Sequence, residues 1–148
     1  MRIYLDTCCY NRPYDNQGYM TIAMEAKAIH FIQDEIKSGK LEMVSSYILR
    51  YENDNSPFLL KKFYIEEFLQ KNSSIYVSEA NEDEIHRIAE DIMLTGIKKH
   101  DAYHIACALF AKCDYFLTTD KRILKYVSDS LIITNPLKFV EVYGGKEK

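Results

Sequence analysis

"YFLTTD" (residues 115–120) and "IYLD" (residues 3–6) share one shape. Each is a short apolar run that stops on an aspartate. Such a run, bounded by polar residues, reads as a strand buried on both faces. "LEMVS" (41–45), "SIYVS" (74–78) and "LIIT" (131–134) read as three more strands. Segments with apolar residues at helical spacing separate them. Ile22, Ala26, Ile29, Ile32 and Ile36 line one face of a helix that closes near Ser38 and Gly39. "SYILRYEN" (46–53) reads as a helix of about two turns, and Ser56-Pro57 opens another that runs to about Lys71. Asn81, with Glu84 three residues on, reads as a capping box for a helix that buries Ile85, Ile88, Ala89 and Ile92 and ends at Gly96. "KKHDAYHIACAL" (98–109) is the next helix, "KRILKYV" (121–127) a short one, and a last helical piece follows Pro136. The stretch from Thr7 to Tyr19, marked by Asn11, Pro13, Asn16 and Gly18, reads as a loop. Strands separated by helices require crossover connections. The expected architecture is therefore α/β, a three-layer α/β/α sandwich around a central, mainly parallel sheet. Residues 1–143 are expected to form one domain, and 144–148 a polar tail.

The chain has 148 residues, 47% hydrophobic and 28% charged, the balance of an ordinary globular protein. No run approaches the roughly 18 apolar residues of a membrane span, and the N-terminus lacks a signal-peptide pattern. A cytoplasmic protein without membrane contact is expected. Cys8, Cys9, Cys107 and Cys113 show no C-x-x-C spacing and are expected to be thiols, with Cys107 buried in a helix. The net charge of −3 argues against a broad nucleic-acid footprint, although local placement of charge decides more than the sum.

If the strands run parallel, Asp6 and Asp120 emerge at one edge of the sheet, the edge where such sheets bind ligands. Asp101 reaches that edge only if its helix points its N-terminus there; otherwise it is an ordinary cap. Glu52 follows the second strand by about two helical turns and has the length to reach back. Two carboxylates about 5 Å apart repel by roughly 3 kcal/mol at an effective dielectric near 20. Gathering four calls for protonation or for a cation. Oxygen donors without convergent thiols favour Mg²⁺ or Mn²⁺, which lower the pKa of a bound water and neutralise phosphodiester charge. His100 and His104 share a helix face, but "HDAYH" lacks the glutamate position of a zinc H-E-x-x-H site. His104 is expected to support packing or the acids instead.

Taken in order, "IYLDT", "SSYILRYE", "KKHDAYHIACAL" and "DYFLTTDKRIL" resemble the PIN domain, in particular the VapC-type toxins of bacterial toxin–antitoxin pairs. The resemblance covers nearly the whole chain, and its last two segments are the most specific. It implies Mg²⁺ or Mn²⁺ in an acidic pocket and endonucleolytic cleavage of RNA. It also implies a homodimer and an antitoxin protein encoded nearby. Matched position by position, the acids are Asp6, Glu52, Asp101 and Asp120. Asp6 and Asp101 would be direct ligands; Glu52 and Asp120 would act through water. Thr7, Thr118 and Thr119 would fix the surroundings. Lys98, Lys99, Lys121 and Arg122, with Arg12 and Arg50, would offer phosphate contacts. Cys8 departs from the pattern, since the family often carries Ser or Asn there, and a thiol is a weaker hydrogen-bond partner. The competing reading is a PIN-fold module that grips RNA or a protein without cutting; retention of all four acids argues against it. A phospho-receiver would want a pair of acids near the first strand, and a haloacid-type phosphatase D-x-D. "LDTCC" offers neither.

Overall fold

The computed structural model describes residues 1–147. Five strands form one sheet: β1 (Arg2–Leu5), β2 (Glu42–Ser46), β3 (Ser73–Val77), β4 (Tyr115–Leu117) and β5 (Ile132–Thr134). All pairings are parallel, in the order β3-β2-β1-β4-β5, so the expected mainly parallel sheet is wholly so. The helices are α1 (Thr7–Asn11), α2 (Met20–Lys37), α3 (Tyr47–Asp54), α4 (Leu59–Asn72), α5 (Glu82–Met93), α6 (Lys99–Phe110) and α7 (Pro136–Glu147).

The strand order dictates the layers. The β1-to-β2 and β2-to-β3 crossovers step one way along the sheet, and β3-to-β4 steps back across it. Right-handed crossovers therefore put α2 and α4 on one face and α5 with α6 on the other. Side chains agree: Phe68 of α4 meets Tyr10 and Lys37, and Tyr143 of α7 meets Phe31 of α2. Ile3, Tyr4, Leu5, Phe116 and Leu117 are fully buried between these layers. The direction reverses between β1 and β4, which makes their carboxyl ends the switch point of the sheet. Among the described residues, no helix is long and apolar enough to cross a membrane.

Four expectations need correction. The stretch after Asp6 is not a plain loop: it holds α1 and a 3₁₀ turn, Arg12–Tyr14. Asp6 causes this, because its side chain caps α1 by accepting from the Thr7 N–H. Asn81 forms no side-chain cap on α5; Ser78 instead accepts from the Ala80 N–H one turn earlier. The helix expected over 121–127 shrinks to a 3₁₀ turn, Ile123–Lys125. The residues expected as a polar tail continue α7 as far as Glu147, and Lys148 lies outside the described residues. All four cysteines are free, and burial pushes the Cys107 and Cys113 thiols up to about 12.

Phe116 stacks on Tyr4 with centroids 5.4 Å apart at the centre of the sheet. Phe116→Ala is expected to cost about 3–5 kcal/mol. Leu94→Ala, at a site 86% exposed, should stay within about 0.5 kcal/mol. Equilibrium urea unfolding measures both.

Candidate active site

The register of β1 against β4 pairs Leu5 with Leu117, so the next residues, Asp6 and Thr118, face each other at the carboxyl edge. Asp6 is only 6% exposed. Its N–H donates to the Leu117 carbonyl at 2.9 Å, which extends the ladder by one bond. One carboxylate oxygen accepts from the Thr7 N–H at 2.8 Å, and the other from the Thr118 hydroxyl at 2.8 Å. Thr118 Oγ1 also accepts from the Asp120 N–H at 3.1 Å. Thr118 thus fixes both aspartates from one buried hydroxyl.

Glu52 reaches this edge from the last turn of α3. Ser46 makes that possible by capping the helix, accepting from the Leu49 N–H at 3.2 Å. Glu52 Oε1 accepts from the Thr7 hydroxyl at 2.8 Å and contacts Nε2 of His104. The far ring nitrogen, Nδ1, lies 2.6 Å from the Tyr4 hydroxyl, which lies 2.7 Å from Ser46 Oγ. A buried polar chain therefore runs from Glu52 through His104 and Tyr4 to the cap of α3. His104 Nε2 is also 3.8 Å from Asp6 Oδ1. Burial opposes charging of His104, but the contact with Glu52 and the nearby Asp6 and Asp101 outweigh it and raise its pKa. Burial likewise works against ionisation of Glu52, yet the contact with His104 and the Thr7 bond hold it below the ordinary carboxylate value.

Asp120 is held by a neighbour. Arg122 donates from its backbone N–H to Oδ1 at 2.9 Å and from its guanidinium to both oxygens at 3.2–3.3 Å. The side-chain bond to Arg122 pulls Asp120 below the usual carboxylate range.

Asp101 differs from the other three. The cap position of α6 is Lys98, no side-chain hydrogen bond caps the helix, and Asp101 lies in its first turn. Among the described residues, no hydrogen bond or ion pair reaches its carboxylate. Burial, then the charges of Asp6 and Asp120, raise its pKa. Helix orientation accounts for its position. The C-terminal end of α6 meets the amino edge of the sheet, where Arg2 Nη1 donates to the Ala111 carbonyl at 2.6 Å. Its N-terminus therefore points to the carboxyl edge.

The other expected residues divide. Thr119 donates its backbone N–H to Cys8 Sγ at 3.3 Å. Cys8 Sγ also lies 3.4 Å from Thr118 Oγ1 and 3.5 Å from Asp6 Oδ2. The thiol thus fills the position next to Asp6 while making longer bonds than a hydroxyl would. A hydrogen bond from Cys9 lowers its pKa against the effect of burial. Lys98 and Arg122 flank Asp101 in a common cleft. Lys99 turns over the Tyr103 ring instead, with 5.9 Å to the centroid. Arg50 turns toward Glu66 and Tyr76. Arg12 pairs with Glu25 at 3.2 Å and Asp15 at 3.1 Å, and Lys121 contributes charge near Glu25. Tyr4 and Ser46 carried no sequence signal, because their partners lie 100 and 42 residues away.

Asp101 feels the charges of Asp6 and Asp120, while Glu52 is linked to the Asp6 region through Thr7 and His104. However, among the described residues no three or more His, Cys, Asp or Glu side chains form a ready metal cage. Glu52 is turned to His104, and Asp120 to Arg122. The donor set is still the oxygen chemistry that suits a hard divalent cation, and among the described residues no hydrogen bond or ion pair occupies the Asp101 carboxylate.

No family model matches the chain, and no curated protein matches it. Solved structures do. VapBC2 from Rickettsia felis, in a crystal structure bound to a DNA fragment from their promoter, aligns with a TM-score of 0.55 and 14% identity, covering 91% of this chain and 98% of that one. FitAcB from Neisseria gonorrhoeae aligns with a TM-score of 0.54 and 18% identity, covering 90% and 97%. At these identities the likeness concerns the fold.

Two outcomes follow from the charges. Asp101 has a raised folded-state pKa, so its ionisation costs stability as pH rises above the ordinary aspartate value. Asp101→Asn should therefore raise the melting temperature at pH 7 in EDTA, with the gain shrinking toward zero below pH about 4. Scanning calorimetry across that window checks it. His104→Ala leaves Tyr4 and Glu52 without their shared partner and should cost about 1–3 kcal/mol in urea unfolding.

Proposed function

We propose that the chain is a Mg²⁺- or Mn²⁺-dependent endoribonuclease of the PIN type, the toxin of a toxin–antitoxin pair acting in the cytoplasm. The single observation that carries this reading is the unpaired Asp101, whose pKa is raised beside Asp6 and Asp120 at the switch point of the sheet. The order of the four acids and the fold shared with VapBC2 and FitAcB, themselves toxin–antitoxin complexes, support it. Asp6 and Asp101 would hold the metal, with Glu52 and Asp120 beside it. When bound, the metal would supply an activated water and neutralise phosphate charge.

The chain's own residues have separable roles in this reading. Thr7 and Thr118 fix the Asp6 carboxylate by direct hydrogen bonds. His104 positions Glu52 and prevents its free rotation. Arg122 satisfies Asp120 and, on the exposed side of the site, is placed to meet a phosphate. An antitoxin would find an apolar surface at the start of α4, where Phe58, Leu59, Leu60, Phe63 and Tyr64 are all exposed. A homodimer also belongs to this reading.

A mixed pool of labelled RNAs, incubated with pure protein and Mg²⁺, Mn²⁺ or EDTA, tests it. Cutting should require the metal and fall by at least about 100-fold in Asp101→Asn, the loss expected when several kcal/mol of charge stabilisation is removed. Absence of both cutting and Mn²⁺ binding would reject the nuclease and favour a PIN-fold binding module.

A further inference from the structure

A cleft of about 490 Å³ opens beside Asp101. Its size lies within the range of roughly 300–1,000 Å³ found for small-molecule sites. Two connections wall it. One is the link between α5 and α6, which turns at Gly96 with a φ of 100°. The other is the segment from Arg122 to Val127 that follows β4.

The lining has two chemical halves. Lys98, Arg122 and Lys125 supply cations, and Asp101 is the one acid among the lining residues. Ile97, Tyr126 and Val127 supply apolar and aromatic surface, and Val127 is 84% exposed. Arg122 lies at the acidic end, since it pairs with Asp120. An acidic peptide would suit the cations but leave the aromatic wall unused. A purely apolar ligand would desolvate Lys98 and Asp101 without pairing them. A ligand with an anionic group at one end and a flat ring at the other satisfies both halves.

We propose that this cleft seats one nucleotide of the RNA strand, the unit next to the phosphate held at the acidic edge. Its base lies against Tyr126 and Val127, and its phosphate faces Lys98, Arg122 and Lys125. The inference rests on the RNA reading given above, and adds that recognition extends to a base on the β5 side of the site. Stacking of a base on Tyr126 tolerates any base, so the cleft contributes affinity and register more than sequence choice. The cations contribute salt-dependent affinity.

The test follows AMP, CMP, GMP and UMP binding to the intact chain by backbone-amide NMR in EDTA, where neither metal nor cleavage enters. Saturable shifts are expected at residues 96–98 and 125–127. Affinity should fall about tenfold in Tyr126→Ala, the scale of one lost base–aromatic stack. It should also fall several-fold in Val127→Glu, an exposed position that leaves the fold intact and sets an anion at the base end. Shifts absent from these residues at millimolar nucleotide, or affinity unchanged in both variants, would overturn the proposal. RNA cleavage in parallel separates the two readings. Cutting with an unchanged KM in both variants removes the subsite and leaves the nuclease. Nucleotide bound in the cleft of a chain that neither cuts RNA nor binds Mn²⁺ supports the subsite and removes the nuclease.

Discussion

Everything at the carboxyl edge depends on one constraint: Asp6 must place its carboxyl group almost out of water, at the point where the sheet reverses direction. The residue is 6% exposed. Left alone, an ionised group there would cost several kcal/mol. The chain offsets this with the cheapest donors available, the first N–H of α1 and the hydroxyl of Thr118. Both exist because of local geometry. Asp6 ends β1 and caps α1 in the same residue, and the β1/β4 register sets Thr118 opposite it.

The remaining acids are handled in three different ways, and the differences carry the chemistry. Glu52 is tied to His104, whose ring is 1% exposed and anchored through Tyr4 to the Ser46 cap. This chain joins β1, β2, α3 and α6, so the direction of Glu52 is part of the core packing. Asp120 is tied to Arg122, an exposed side chain that is free to move when a better cation or an anion arrives. Asp101 is tied to nothing among the described residues.

The sheet was legible in the sequence because buried parallel strands are short apolar runs, and "IYLD" and "YFLTTD" end where the water begins. The acids followed, since a charge directly after such a run has to sit at a strand end. What failed was local. Asp6 looked like the start of a loop because capping a five-residue helix and ending a strand leave the same polar signature. Asn81 looked like a cap by spacing, yet Ser78 had already turned the chain. Lys99 looked like a phosphate contact by proximity to Asp101, but the helical angle between neighbours turns it toward Tyr103. The partners of His104 were beyond reach of any periodicity, because they depend on strand register and helix docking across the whole chain.

The position of Asp101 shows where topology decides what periodicity does not. A helix that returns the chain to the start of a parallel strand must run against that strand. Its N-terminus then lies at the carboxyl edge, whatever its sequence. The bond from Arg2 to the Ala111 carbonyl fixes the other end of α6 at the amino edge, beside the start of β4. An aspartate in the first turn of that helix is thus carried to the ends of β1 and β4. Meeting Asp6 there is unfavourable, and the raised pKa of Asp101 registers the cost. The fold therefore delivers this acid to the edge by obligation, and leaves its carboxylate without a direct hydrogen bond or ion pair among the described residues. A net charge of −3 conceals this arrangement, because it sums over a surface on which Lys98, Arg122 and Lys125 gather beside that same unpaired carboxylate.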